Sequence, residues 1–278
     1  MQRFVENQLN DWKDSPRRKP LIVRGARQVG KTWLVEHFAS KVFDSFVKID
    51  LEKRHDIHSF FDGNLNPVTI LKYLELEAGR IAPGRTLLFL DEIQACPRAI
   101  VALRYFYEQM PELHVIAAGS LLEFAFGDIS IPVGRVQYLH LHPMTFSEYL
   151  QAIGKDSMAE YALQPASSVD ETVQKMILGE LRNYFFIGGM PECVKVYRDS
   201  DSMLEAFRVQ SEILDSYRDD FSKYTPRVDR TCLDAVFLSA ARRIGEQIKY
   251  THLDEGHTSH TIRKAFDLLS KARVINKI

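Results

Sequence analysis

Gly25-Ala26-Arg27-Gln28-Val29-Gly30-Lys31-Thr32 reads G-x-x-x-x-G-K-T, the pattern of a phosphate-binding P-loop. Its flanks supply the context that pattern requires. Pro20-Leu21-Ile22-Val23-Arg24 is a short apolar run suited to a buried strand, and Trp33, Leu34, His37 and Phe38 recur at helical spacing. Gly25 and Gly30 let the backbone turn tightly and approach a phosphate with no Cβ in the way. The backbone amides of Gly25, Ala26, Arg27, Gln28, Val29, Gly30, Lys31, Thr32 and Trp33 then line one concavity at a helix N-terminus, where an anion is favoured. Lys31 reaches the β- and γ-phosphates of a bound nucleotide, and the Thr32 hydroxyl ligates Mg²⁺. A chance glycine-rich turn would lack the strand, the helix and the full pattern.

Thr86-Leu87-Leu88-Phe89-Leu90-Asp91-Glu92 is an apolar run that ends in two carboxylates. Such a run suits a strand buried on both faces of a parallel sheet, and ligands bind at the C-terminal ends of strands in these sheets. Asp91 is the candidate Mg²⁺ ligand, directly or through water. Glu92 is the candidate base that orients and deprotonates an attacking water. The alternative is an ordinary acidic strand end facing solvent.

Composition sets outer bounds. The chain has 278 residues and a net charge of -1, which suggests about two domains and no global pull toward nucleic acid or membrane. Cys96, Cys193 and Cys232 are far apart and form no C-x-x-C pair, which argues against disulfides and a cysteine zinc site and for a reduced, cytoplasmic setting. The amphipathic N-terminus does not read as a signal peptide. No apolar run is long enough to span a bilayer, so no membrane association is expected.

In chain order, Phe4, Leu9 and Trp12 are spaced for a short helix, which Ser15-Pro16-Arg17-Arg18-Lys19-Pro20 breaks. That basic trio reads as a solvated linker or a polyanion contact. Residues 45–52 alternate and predict a strand nearer the sheet edge, and Asn66-Pro67 starts a helix that Gly79 ends. A further helix over 100–110 leads to the strand of residues 113–118, then Gly119-Ser120. Ser120 is a candidate contact to the γ-phosphate or the attacking water, or else the cap of a helix over 121–126. Residues 136–141 alternate as a fifth strand. Arg135, just before it, is a candidate for stabilising transition-state charge, with a surface salt bridge as the ordinary alternative. His140 and His142, and likewise His55 and His58, lack acid partners in the sequence pattern and read as structural. Five strands alternating with helices predict an α/β fold with a parallel P-loop sheet, in which one extra strand separates the P-loop strand from the Asp91 strand.

From Phe146 to Tyr224 the pattern is helical, interrupted by Gly188-Gly189-Met190-Pro191. The last segment predicts a helix over 232–244, a brief element near Tyr250, a helix over 261–271 and a strand from Val274. That order is the order of a winged helix-turn-helix. His260, Arg263, Lys264, Lys271 and Arg273 make its presumed recognition helix basic, so duplex DNA is a candidate partner; a protein-facing or intramolecular winged helix is the alternative. The chain stops where a wing would begin, which reads as a fragment of a longer protein. The expected division is a P-loop domain over 1–145, a helical lid-like region over 146–228 and a truncated winged-helix segment over 229–278.

With these residues in view, the chain resembles the AAA_14 family of bacterial and archaeal AAA+-like ATPases, often followed by a DUF4143 domain. The stretches that carry the resemblance are residues 18–32, Leu90-Asp91-Glu92-Ile93-Gln94, Ala118-Gly119-Ser120-Leu121-Leu122, Pro132-Val133-Gly134-Arg135 and Gly188-Gly189-Met190-Pro191-Glu192. The resemblance implies ATP and Mg²⁺ as ligands, hydrolysis, an AAA+-type sheet and a winged-helix segment. It places Ser120 at the sensor position and Arg135 as an arginine-finger candidate, acting within the subunit or on a neighbour in a homo-oligomer. It also implies a nuclease-like region beyond the end of this sequence. The leading expectation is an Mg²⁺-dependent ATPase acting as a conformational switch. A nucleotide-gated DNA-binding protein is the rival, and a P-loop kinase is disfavoured by the adjacent Asp91-Glu92 and by the extra strand.

Overall fold

The computed structural model describes residues 1–120, 122, 132, 134–165, 170–221 and 228–276. By its internal contacts the chain divides into two compact units, Met1–Asp201 and Ser202–Ile278. The three-part division expected from the sequence is finer and is drawn at other positions.

The first unit is built on five parallel strands: β1 (Leu21–Arg24), β2 (Ser45–Asp50), β3 (Thr86–Asp91), β4 (His114–Gly119) and β5 (Gln137–His140). Their spatial order is β2-β3-β4-β1-β5, so β4 is the strand that separates β1 from β3. β2 and β5 are the edges, and the alternating burial of β2 follows from its place there. β3 and β4 are buried at every residue. Their side chains divide between two layers, as strand alternation dictates. Leu88, Leu90, Val115 and Ala117 join one core with residues of α3 (Pro67–Ala78), α4 (Pro97–Gln109) and a 3₁₀ turn over His55–Phe61. On the other face α2 (Lys31–Val42), flanked by α1 (Glu6–Asp14), packs against the sheet. Leu34, Val35 and Phe38 of α2 are buried, each contributing about 1.5–3 kcal/mol of burial. The Asn66 side chain caps α3 by accepting from Val68 N and Thr69 N, with Pro67 at the first helical position, as the sequence predicts. Phe4 lies outside α1 and is exposed.

Among the described residues of this unit the chain continues in α5 (Phe146–Ala152), α6 (Asp156–Ala162), α7 (Glu171–Ile187) and α8 (Pro191–Ser200). α5 begins with a capping box between Thr145 and Glu148. The Gly188-Gly189 turn approaches the chain before α5, where Met144 N donates to Gly189 O at 2.6 Å.

The second unit holds α9 (Met203–Asp220), α10 (Arg230–Arg242), a 3₁₀ turn over Tyr250–His252 and α11 (Ser259–Lys271). Phe221 packs edge-on against Phe237 and Tyr250 against Phe266. The strand expected from Val274 is not formed over the described residues. Arg273 takes a left-handed conformation (φ 61), and Val274 N and Ile275 N turn back to donate to Leu269 O. The expected helix over 121–126 (Leu122 aside), Val133, and the helical stretch up to Tyr224 beyond Phe221 lie outside the described residues. Among the described residues no helix is long and apolar enough to cross a membrane.

Candidate nucleotide-binding site

The loop between β1 and α2 is tightly specified. A Cβ on Gly25 would lie 2.2 Å from the Leu141 carbonyl oxygen, so the chain leaving β5 passes too close for any other residue. Gly30, at φ 91, is the N-cap of α2 and offers no side chain to cap it. The first amides of α2 are thereby left for a ligand. Arg27 and Gln28 are exposed, whereas Ala26 and Val29 are buried. The Trp33 indole stacks on His37 at 4.5 Å, so what Trp33 offers the loop concavity is its backbone amide.

Lys31 is buried, and its Nζ donates to the carbonyls of Gly25 (3.1 Å) and Ala26 (2.7 Å). Burial is the main force that lowers its pKa to about 8; the Arg27 charge adds to this, and the negative charges of Glu92 and Asp91 oppose it. Those two carboxylates therefore act on the same ammonium, as a shared site requires.

Asp91 is 4% exposed at the end of β3. Its Oδ2 accepts from Thr32 Oγ1 at 2.9 Å, so the two expected Mg²⁺ ligands already converge. Lys48 Nζ stands 3.3 Å from the same oxygen and 2.8 Å from Glu36 Oε1. Neither Lys48 nor Glu36 carries a signal that sequence reading detects: each joins the site through strand order and helix phase alone.

Glu92 takes a left-handed backbone (φ 47, ψ 47), a conformation that costs a non-glycine residue about 1–2 kcal/mol. Gln94 Nε2 donates to Glu92 Oε2 at 2.6 Å. The other end of that amide lies over Gly119, where a Cβ would meet Gln94 Oε1 at 2.2 Å. Gln94 thus spans from the candidate base to the end of β4. Gly119 pairs with Arg24, so Ser120 comes level with Gly25 and reaches the phosphate end of the sheet, where it is buried.

Arg135 is not brought to this site. Gln137 pairs with Leu21 and His140 with Arg24, so Arg135 lies at the opposite end of the strands, roughly 20 Å from Gly25 at about 3.3 Å per residue. It bonds Glu108 at 2.8 Å, and Arg104 bonds the same carboxylate at 3.0 Å. The basic trio Arg17-Arg18-Lys19 lines an open groove of about 920 Å³ with Tyr107, Glu108 and Gln137 at this far end. Neither Arg135 nor the trio can touch a nucleotide held by its own chain.

A buried network that sequence reading missed supports the loop from behind. Arg3 and Glu148 are each 5% exposed and pair at 3.1 Å. Arg3 also donates to Val29 O (3.2 Å) and His142 O (2.6 Å). Glu148 accepts from Phe4 N and Thr145 N, both at 2.8 Å. The N-terminus, the P-loop and the start of α5 are thereby joined at one ion pair.

Residues 17–150 match the AAA_14 family, described as an AAA domain, and residues 178–278 match DUF8612, a domain of unknown function. No curated protein matches the chain. Among solved structures, the Walker-type ATPase PABY2304 of Pyrococcus abyssi is similar with a TM-score of 0.61 and 15% identity, over 96% of this chain and 88% of that one; it bears on the fold alone. The Aeropyrum pernix Orc1 protein in complex with DNA aligns at a TM-score of 0.35 and 12% identity, over 99% of this chain and 84% of that one. Drosophila ORC bound to DNA aligns at 0.38 and 16%, over 97% and 65%.

Proposed function

Starting from the match of residues 17–150 to the AAA_14 family of AAA domains, we propose that the chain binds ATP with Mg²⁺ at the Gly25–Thr32 loop and hydrolyses it as a conformational switch. The observation that carries this reading is the contact of Thr32 with Asp91 at 2.9 Å, beside the buried Lys31 and next to Glu92. A hydroxyl and a carboxylate are hard oxygen donors that suit Mg²⁺. When bound, that ion neutralises charge on the β- and γ-phosphate oxygens. Lys31 exchanges its two carbonyl partners for phosphate oxygens. Glu92 takes the proton of the attacking water, and Gln94 holds the Glu92 carboxylate in place for that step. Ser120 contacts the γ-phosphate or the water.

Phosphate release from ATP, measured beside equilibrium ATP binding, tests the assignment. Glu92→Gln is expected to bind ATP as the wild type does and to lose turnover at least 100-fold. Normal turnover in that variant would sink the role of Glu92.

One observation favours a second reading, a nucleotide-gated contact with duplex DNA. α11 buries Ile262, Ala265, Phe266, Leu268 and Leu269 and leaves His260, Arg263, Lys264 and Lys271 exposed. A basic face on the second helix of a helix-turn-helix pair suits DNA phosphates. Salt-dependent duplex binding that disappears in Arg263→Ala/Lys264→Ala supports it, and no binding at low salt removes it.

A further inference from the structure

The second unit contains a side-chain cluster that the nucleotide site does not use. Cys232, in the first turn of α10, is fully buried. Its Sγ, a carboxylate oxygen of Asp254 and a ring nitrogen of His257 all lie within 4.8 Å of one another. The two partners come from the turn that leads into α11, far from Cys232 in sequence. Asp254 Oδ2 meets His257 Nδ1, while Asp254 Oδ1 accepts the Gly256 amide at 3.0 Å, so this turn presents both side chains together. Thr231 Oγ1 stands 3.4 Å from the other ring nitrogen of His257.

The charge around the cluster is negative. Asp229 caps α10 by accepting from Thr231 N and Cys232 N. Among the described residues, no lysine or arginine pairs with Asp229 or Asp254. A cation seated here offsets that negative charge.

We propose that Cys232, Asp254 and His257 form a zinc site that ties the start of α10 to the turn before α11. One thiolate, one imidazole and one carboxylate make a mixed soft and borderline donor set, which selects zinc over magnesium or calcium. Ligand atoms around a tetrahedral zinc stand roughly 3.5 Å apart, given bonds of about 2.0–2.3 Å. To reach that spacing the direct Asp254 Oδ2–His257 Nδ1 contact opens by side-chain rotation while the wider separations, all within 4.8 Å, close, and water fills the fourth position. The bound ion fixes the spacing between α10 and α11, the two helices of the helix-turn-helix pair.

The test uses the full chain, stripped of metal, without nucleotide and in excess Mg²⁺ so that the oxygens near Asp91 do not compete. Zn²⁺ is titrated against a chromophoric zinc chelator, and Co²⁺ is followed by absorption. The wild type is expected to take one equivalent of zinc, to gain thermal stability with it, and to show a thiolate-to-cobalt charge-transfer band. Cys232→Ala is expected to lose that band. His257→Gln, a change at a partly exposed side chain that leaves the core intact, is expected to weaken zinc binding at least about 100-fold, with circular dichroism confirming the fold. A wild type that retains no zinc overturns the proposal. So does zinc binding that survives either substitution undiminished.

Discussion

Lys31 is bonded to the carbonyls of its own loop, and its burial sets a pH dependence. Its pKa is about 8 in the folded chain against an ordinary 10.5. Between these values the unfolded chain binds more protons, so this group makes stability rise with pH from about 8 to 10.5; below 8 the cost of burying the ammonium is present in full. Phosphate oxygens restore the charged form. Binding of MgATP at pH 8.5 is therefore expected to take up a fraction of a proton, seen as a calorimetric enthalpy that varies with the ionisation enthalpy of the buffer. The variation should shrink toward pH 7, where Lys31 is already protonated, and its absence at pH 8.5 would contradict the burial argument. Gln94 acts on the neighbouring carboxylate through one short hydrogen bond. Gln94→Ala is expected to lower turnover 10- to 100-fold with ATP affinity unchanged, because the Glu92 carboxylate loses its position. A parallel loss of ATP affinity would instead mark Gln94 as part of the loop's scaffold.

Among elements, the P-loop depends on pieces distant from it in sequence. Arg3 precedes α1, yet it bonds the loop through Val29 O and the start of α5 through Glu148. Removing one partner of a buried pair strands the other charge, at about 3–5 kcal/mol. Arg3→Met is expected to cost that much in denaturant unfolding, and the double substitution Arg3→Met/Glu148→Leu to recover part of it, since no lone charge remains. Equal losses in the single and double variants would show that packing, not charge, dominates. The capping box of α5 shares Glu148, so the start of this helix should fray in the double variant, which keeps the recovery partial.

At the scale of the whole molecule, strand direction places Arg135 and the phosphate loop at opposite ends of one sheet. An effect of Arg135 on hydrolysis must then run through a second copy of the chain. Arg135→Ala is expected to lower turnover only at protein concentrations where chains associate. Mixing it with Lys31→Ala, inactive by itself, is expected to restore activity, because one variant supplies the intact loop and the other the intact arginine. Equal turnover of Arg135→Ala and wild type across all concentrations would leave Arg135 as a surface partner of Glu108.

The sequence by itself determined the P-loop, the acidic end of β3, the parallel α/β sheet and the Asn66 cap. Each is a local pattern: phosphate chemistry needs contiguous amides, a buried strand needs a contiguous apolar run, and a cap acts within three residues. Tertiary structure alone decided the partners of those groups. Arg3 reaches Glu148 across most of the first unit, Lys48 meets Asp91 because β2 lies beside β3, and Cys232 meets Asp254 and His257 because α10 packs against α11. Among the described residues it also turned Val274 N and Ile275 N back to Leu269 O in place of the expected strand, and it removed Arg135 from the phosphate site of its own chain. Such contacts depend on which elements become neighbours, and no local spacing of residues encodes that.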